Sequence, residues 1–301
     1  MRRIGFSLSG APAADGSAQL SELAVRAPRQ RALSQRFLAV LAAIAPLLPF
    51  AATGALYELL RGVFRQHGPV HVRDLLALEQ RFFSVSTQHG PRALSEVIAQ
   101  RTHVWLDVTC GLTYLLFLIE ILAVSAALSA RWRSRAWELS LGFLIVNLLG
   151  WMIWMAYPAA PPWYADAFAL QGSTPEVASS AAGLARFDAL VGLPVAASFY
   201  AKSADVFGAM PSLHVAYATL VVWAVAPLGR WPFCAAALFA SSMAFSAIYL
   251  RHHYILDVLA GMLLAITVAG CICVVRRLAV RRGPVLGLAR VRTPRDRGGS
   301  G

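Results

Sequence analysis

The sequence predicts an all-α membrane protein: about six transmembrane helices in one bundle, with an outward-facing site. Three observations carry this expectation. Of 301 residues, 58% are hydrophobic and only 14% charged, whereas soluble domains carry about 25% charged residues. The apolar residues gather into blocks close to the ~20 residues that cross hydrocarbon as a helix. Alternating polar-inward strands are absent, so the backbone at membrane depth must satisfy itself as helix.

The first block, Phe37 to Tyr57, contains no charge. It is too long for the apolar core of a signal peptide and follows a polar, alanine-rich start, so an uncleaved signal anchor is expected. The second, Val104 to Leu128, carries Asp107 near its start and Glu120 inside. Glu120 needs a partner or a wet cavity. The third, Leu139 to Tyr157, is apolar apart from Ser140 and Asn147. The fourth, Leu213 to Leu228, is short unless it starts at the motif preceding it. The fifth runs from Trp231 to Leu250, and the sixth, Tyr254 to Val275, holds only Asp257 as a charge. Tyr114, Trp151 and Trp154 read as packing or interfacial-belt residues.

Arginine sets the topology. Residues 1–36, the connections at 131–135 and 230, and the C-terminal tail are basic, and alternation of six helices puts all of them on one side. By the positive-inside rule that side is the cytoplasm. Residues 1–35 and 279–301 are thus expected as cytoplasmic basic tails around a transmembrane domain at 36–278. The outer side receives the loop 157–212 and the segment 61–103. Leu75, Leu76, Leu78, Phe82 and Phe83 give 61–103 an amphipathic pattern, so it is expected to lie along the interface as one or two helices.

The net charge of +12 does not indicate nucleic acid. The basic residues sit at the ends of apolar runs, where they anchor a membrane protein, and the arginine-dense tails suit anionic lipid headgroups. The composition, rich in alanine and in arginine over lysine, points to a GC-rich bacterial genome, and the expected location is then a bacterial inner (plasma) membrane. Cys110, Cys234, Cys271 and Cys273 fall in spans without metal or disulfide spacing and read as small buried apolar residues. His67, His71, His89 and His103 read as surface or interface residues.

Chemistry concentrates in two strings at outer helix ends, Pro211-Ser212-Leu213-His214 and Arg251-His252-His253-Tyr254-Ile255-Leu256-Asp257, with Pro158 to Trp163 converging on the same face. His253 and Asp257 stand four apart, within side-chain reach on a helix. A carboxylate that accepts one ring N–H leaves the other nitrogen free as a nucleophile. Against this stands an ordinary hydrogen-bonded helix-start pair, at even weight.

Ser212 and His214 surround another helix start, where free N–H groups attract phosphate. Ser212 alone reads first as a helix cap. His214 is placed to give a proton to a leaving alkoxide. Lys202, the only lysine, and Arg251 are the cations available to neutralise a phosphoryl group. A zinc site at His214, His252, His253 and Asp257 competes less well, because adjacent histidines on a helix diverge by about 100°. Catalytic candidates are therefore His253, Asp257 and His214. Phosphate-binding candidates are Ser212, Arg251 and Lys202, with no metal and no cofactor. A transporter or lipid-binding protein is the alternative, although transporters show repeated halves and helices interrupted at midplane, which this chain lacks.

At these residues the chain resembles the type-2 phosphatidic acid phosphatase superfamily, and within it the inositol-phosphorylceramide-synthase-like branch. Ala209-Met210-Pro211-Ser212-Leu213-His214 matches the second signature of the superfamily, with Leu213 where many members carry glycine. His253 to Gly261 matches the third. The resemblance covers mainly residues 104–275. It implies a metal-independent six-helix enzyme in which His253 forms a phosphohistidine, Asp257 orients it, His214 protonates the leaving group and Ser212 binds phosphoryl oxygens. Its substrate would be a lipid phosphate, with water or a polyol or other alcohol as acceptor. The first signature, a lysine followed by Arg-Pro, is missing. Pro161-Pro162-Trp163 stands where relatives often carry Pro-Pro-Arg, and Ala247 replaces an arginine six residues before the nucleophile.

Overall fold

The computed structural model describes residues 40–64, 69–88, 90–168, 178–203 and 206–281, with positions 35 and 38. The expected tails, and His67 and His89, lie outside the described residues apart from these two positions and the end of the last helix.

Residues 40–45 are helical or in the turn that follows, and they open a membrane-length apolar run, Val40–Phe64. Its main part is α1, Leu48–Phe64. The helix continues past the expected end at Tyr57 because Glu58 and Arg61 pair across one turn, 3.1 Å apart. This lets both charges extend the helix beyond the apolar stretch.

The segment after α1 is more than the expected interfacial helices. It holds α2 (Arg73–Phe82), a hairpin of β1 (Ser84–Thr87) and β2 (Gly90–Ala93), and α3 (Leu94–Gln100). The hairpin pairs antiparallel, with Ser84 opposite Ala93 and Thr87 opposite Gly90. Gly90 has φ +97°, a conformation that favours glycine. Four-residue strands carry too little alternation to stand out from an amphipathic run.

Next come α4 (Val104–Leu115), α5 (Phe117–Arg131), α6 (Arg133–Ala156), α7 (Pro162–Phe168), α8 (Leu184–Val191), α9 (Val195–Tyr200), α10 (Leu213–Val225), α11 (Arg230–Tyr249) and α12 (Ile255–Arg281). The chain is mostly helical. Four helices are long and apolar enough to cross a membrane: Val40–Phe64, α6, α11 and α12. A fifth is counted if α4 and α5, bent by 51°, form one span. The helical run Leu213–Leu228 is shorter than these.

That short helix is the structural centre. It packs against α5, α6, α11 and α12, and most of its side chains, from Leu213 to Val225, are buried. By contrast, only 22–44% of the apolar windows of the four long helices is buried within the chain. Leu59, Val104, Trp105, Leu238 and Leu263 point outward. An apolar exterior around a protein core is the pattern expected of helices whose remaining neighbours are lipid.

Candidate active site

The sequence places His253 on a helix with Asp257. In the structure α12 starts only at Ile255, so His253 stands just ahead of it, and Asp257 turns back toward it. One carboxylate oxygen of Asp257 accepts the Tyr254 N–H at 2.8 Å and lies 3.7 Å from His253 Nδ1. The short bond of that nitrogen is to the Ala209 carbonyl, at 2.8 Å. A carbonyl oxygen only accepts, so Nδ1 carries the proton and Nε2 keeps its lone pair. The free nitrogen expected from the His/Asp spacing is thus produced by a backbone carbonyl, with the Asp257 carboxyl just beyond hydrogen-bond distance.

Ala209 is held in place by a three-ply backbone ladder. His71 bridges Ala159, and Ala159 bridges Gly208, both in parallel. The bonds are His71 N–H to Pro158 O at 2.8 Å, Ala160 N–H to His71 O at 2.9 Å, Ala159 N–H to Phe207 O at 2.7 Å and Ala209 N–H to Ala159 O at 3.2 Å. The segment after α1, the Pro158–Trp163 string and the 209–214 string therefore converge on one carbonyl.

Ser212 precedes α10 in extended conformation, the position of a cap, but its side chain makes no cap bond. Its Oγ is buried and without a partner. Its N–H donates to the Asp257 carbonyl at 3.0 Å. A Cβ on Gly261 would meet the Ser212 carbonyl oxygen at 2.2 Å, so glycine is required for the two motifs to touch.

His214 lies in the first turn of α10, with its ring centroid 6.0 Å from that of His253 and tilted by 58°. The structure thus brings together His214, His253, Ser212 and Asp257 from non-neighbouring helices. Tyr114, expected as packing, stacks on His214 at 4.4 Å and places its hydroxyl 3.3 Å from His214 Nδ1. The available signal was chemical: a phenol hydroxyl in an apolar helix requires a partner.

A cavity of about 750 Å³ has His214, His252, His253 and Lys202 in its wall, whereas Ser212 and Asp257 lie behind its lining residues. The rest of the wall is mainly apolar, with Phe50 of α1, Phe117 of α5 and Trp151 of α6. Lys202 is exposed at this wall. Arg251 is not among the lining residues. Asp166 holds its guanidinium through both Nε and Nη2. Ala247 is fully buried, and its carbonyl accepts the N–H groups of both His252 and His253 at 3.1 Å.

Sequence reasoning missed Glu79. This α2 residue is fully buried, and its carboxylate oxygens accept the N–H groups of Ile255 at 3.1 Å and Leu256 at 3.4 Å. It caps α12 from another part of the chain. Burial raises its carboxyl above the ordinary glutamate value, and those two N–H groups offset part of the rise. No local motif announces a cap delivered 176 residues away. Glu120 is partly buried, with one oxygen unpartnered.

Helices of membrane length around two imidazoles and a carboxylate define a membrane-embedded enzyme of phosphoryl chemistry. The PAP2 superfamily profile matches residues 74–271, and the chain belongs to that superfamily. Its place is in the branch similar to inositol phosphorylceramide synthases. It is 36% identical over 224 residues to the phosphoinositol dihydroceramide synthase of Bacteroides thetaiotaomicron, covering 72% of each chain. It is 33% identical over 215 residues to the inositol phosphorylceramide synthase catalytic subunit of Schizosaccharomyces pombe, covering 67% of this chain and 47% of the relative. It is 32% identical over 227 residues to the inositol phosphorylceramide synthase of Candida albicans, covering 74% and 46%. The chain thus spans about half the length of the fungal relatives. No solved structure matches it. Membership in an enzyme superfamily sets aside the transporter reading.

Proposed function

We propose that this protein is a six-span lipid phosphotransferase of a bacterial inner membrane, with both termini cytoplasmic and its site on the outer face. It works through a phosphohistidine and needs no metal. The reaction read from its similarity to the Bacteroides enzyme moves a phosphoinositol-type headgroup from a lipid phosphate ester to a ceramide-type hydroxyl. The observation that carries this reading is the pair of imidazoles, 6.0 Å apart in the wall of one cavity, with His253 Nδ1 bonded to Ala209.

In the first step the His253 Nε2 lone pair attacks phosphorus. The P–O bond to the departing lipid alcohol breaks, and His214 gives that oxygen a proton. In the second, the acceptor hydroxyl gives its proton back to His214 as its oxygen attacks phosphorus, and the N–P bond breaks. The Ala209 carbonyl and the Asp257 charge stabilise His253 as it gains positive character. Ser212 Oγ, buried and uncommitted, and the free N–H groups at the start of α10 receive the phosphoryl oxygens. Lys202 supplies positive charge from the cavity wall. Arg251, whose Nε and Nη2 are held by Asp166, keeps only a buried Nη1 without a partner.

The test uses purified protein in detergent, offered phosphatidylinositol with and without ceramide, and phosphatidic acid separately. Transfer to ceramide and an acid-labile labelled phosphoenzyme are expected, both resistant to chelator. Phosphate release from phosphatidic acid without transfer would make it a hydrolase. Loss of turnover on chelation, restored by zinc, would overturn the metal-free mechanism.

A further inference from the structure

The sequence places residues 157–212 in a loop outside the membrane, but one part of that loop is poorly suited to water. Helices α8 and α9 form a hairpin around Gly192, which ends α8 with a φ of +71°. From Ala189 to Phe199 the chain carries no charge. Leu190, Val191, Leu193, Val195 and Phe199 are each between 42% and 62% exposed. The two charges of the hairpin, Arg186 and Asp188, are committed to holding it together. Arg186 Nε donates to Asp107 of α4 at 2.7 Å. The Asp188 oxygens accept the Ala196 and Ala197 N–H groups, each at 2.9 Å. The face left over is apolar, and a contiguous apolar patch of this kind marks a contact surface.

The packing of α8 says what covers that face. Phe187 is buried against α4, where a Cβ on Gly111 would stand 2.5 Å from its ring. Helix α4 begins at Val104, so this contact lies about 10 Å along its axis from the start. Leu112, about 100° round α4 from Gly111, is exposed beside it. At the near end of the hairpin, the Gly183 N–H donates to the Leu250 carbonyl at 3.0 Å. Leu250 directly follows α11, a helix of membrane length, and stands two residues before His252. The hairpin is therefore set beside helices whose own exposed faces meet lipid, on the side of the histidines. We propose that α8 and α9 form an interfacial anchor, lying in the leaflet on the active-site side with their apolar face at the boundary of headgroups and acyl chains. Phe199 also lines the cavity, so the cavity wall and this lipid face meet at one ring. The hairpin lies there whatever reaction the site performs.

The test uses full-length protein in phosphatidylcholine vesicles. Cys234, Cys271 and Cys273 are replaced by alanine, while the buried Cys110 is kept. Nitroxide labels on Leu193→Cys and Val195→Cys are read by power saturation with oxygen, which concentrates in lipid, and with a water-soluble nickel chelate. A label on Leu263→Cys of α12, an outward-pointing residue, is the lipid reference. The oxygen-to-nickel accessibility ratio at both hairpin positions is expected within about threefold of that reference. Accessibility to nickel above that to oxygen puts the hairpin in water and overturns the proposal. Exclusion of both reagents overturns it in favour of protein cover, and a short label-to-label distance between copies then identifies a second copy as the cover. If either variant does not fold, Leu190→Cys and Val191→Cys take its place. The readout is a depth and not a rate, so failure of the phosphotransfer reading leaves it unchanged.

Discussion

Two helix starts meet at this site, and they are finished differently. At α12 the first N–H groups are occupied: Asp257 takes the one of Tyr254, and Glu79 takes those of Ile255 and Leu256. At α10 the Ser212 side chain caps nothing. Both ends carry the positive pole of a helix. At α12 those N–H groups are already taken by side-chain oxygens, so an anion finds no donors there. At α10 the pole stays available beside an uncommitted hydroxyl. On the proposed mechanism, the difference assigns one end to holding the nucleophile still and the other to receiving a phosphoryl group.

The largest effect expected is from His253→Ala. It removes the nucleophile and should lower transfer by about 10⁴-fold or more, with no labelled phosphoenzyme. His214→Ala follows at about 10²–10⁴-fold, measured as single-turnover transfer.

Ser212→Ala sharpens the contrast. Removing a capping serine ordinarily costs about 1 kcal/mol of stability. Here the detergent melting temperature should stay unchanged while transfer falls about 10–100-fold. A drop in melting temperature with little change in rate would break the comparison.

The opposite pattern is expected at α12. Glu79→Ala should lower the melting temperature, because it strips the cap from two N–H groups. Burial raises the Glu79 pKa, so its contribution to stability is greatest below the ordinary glutamate value of about 4.5 and is lost as pH rises through the raised value. Glu79→Gln should abolish that slope in melting curves taken as a function of pH. The smallest effects belong to the cations. Lys202→Ala should raise the KM for an anionic lipid by up to about tenfold, and Arg251→Ala, already neutralised by Asp166, by less than about threefold.

Much of this was legible in the sequence. The apolar blocks gave the membrane class and most helices, because hydrocarbon length leaves a strong signal. The two histidine strings were found because polar groups at the ends of apolar runs stand out. What escaped was everything delivered from a distance. Ala209 acts through its backbone, and no side chain marks a carbonyl that fixes a tautomer. Glu79 sits in a segment whose hairpin and short helices carry weak periodicity. Tyr114 looked like packing until His214 lay beside it. Arg251 was chosen for its charge and position, but Asp166, 85 residues away, has a prior claim on its guanidinium.

The contact at Gly261 has a last consequence. With the α12 backbone resting on the Ser212 carbonyl, the two strings that carry His214 and His253 are in backbone contact, which ties the proposed acid to the proposed nucleophile. On the proposed function, the apolar wall that Phe50, Phe117 and Trp151 provide is where the chains of a lipid substrate would lie.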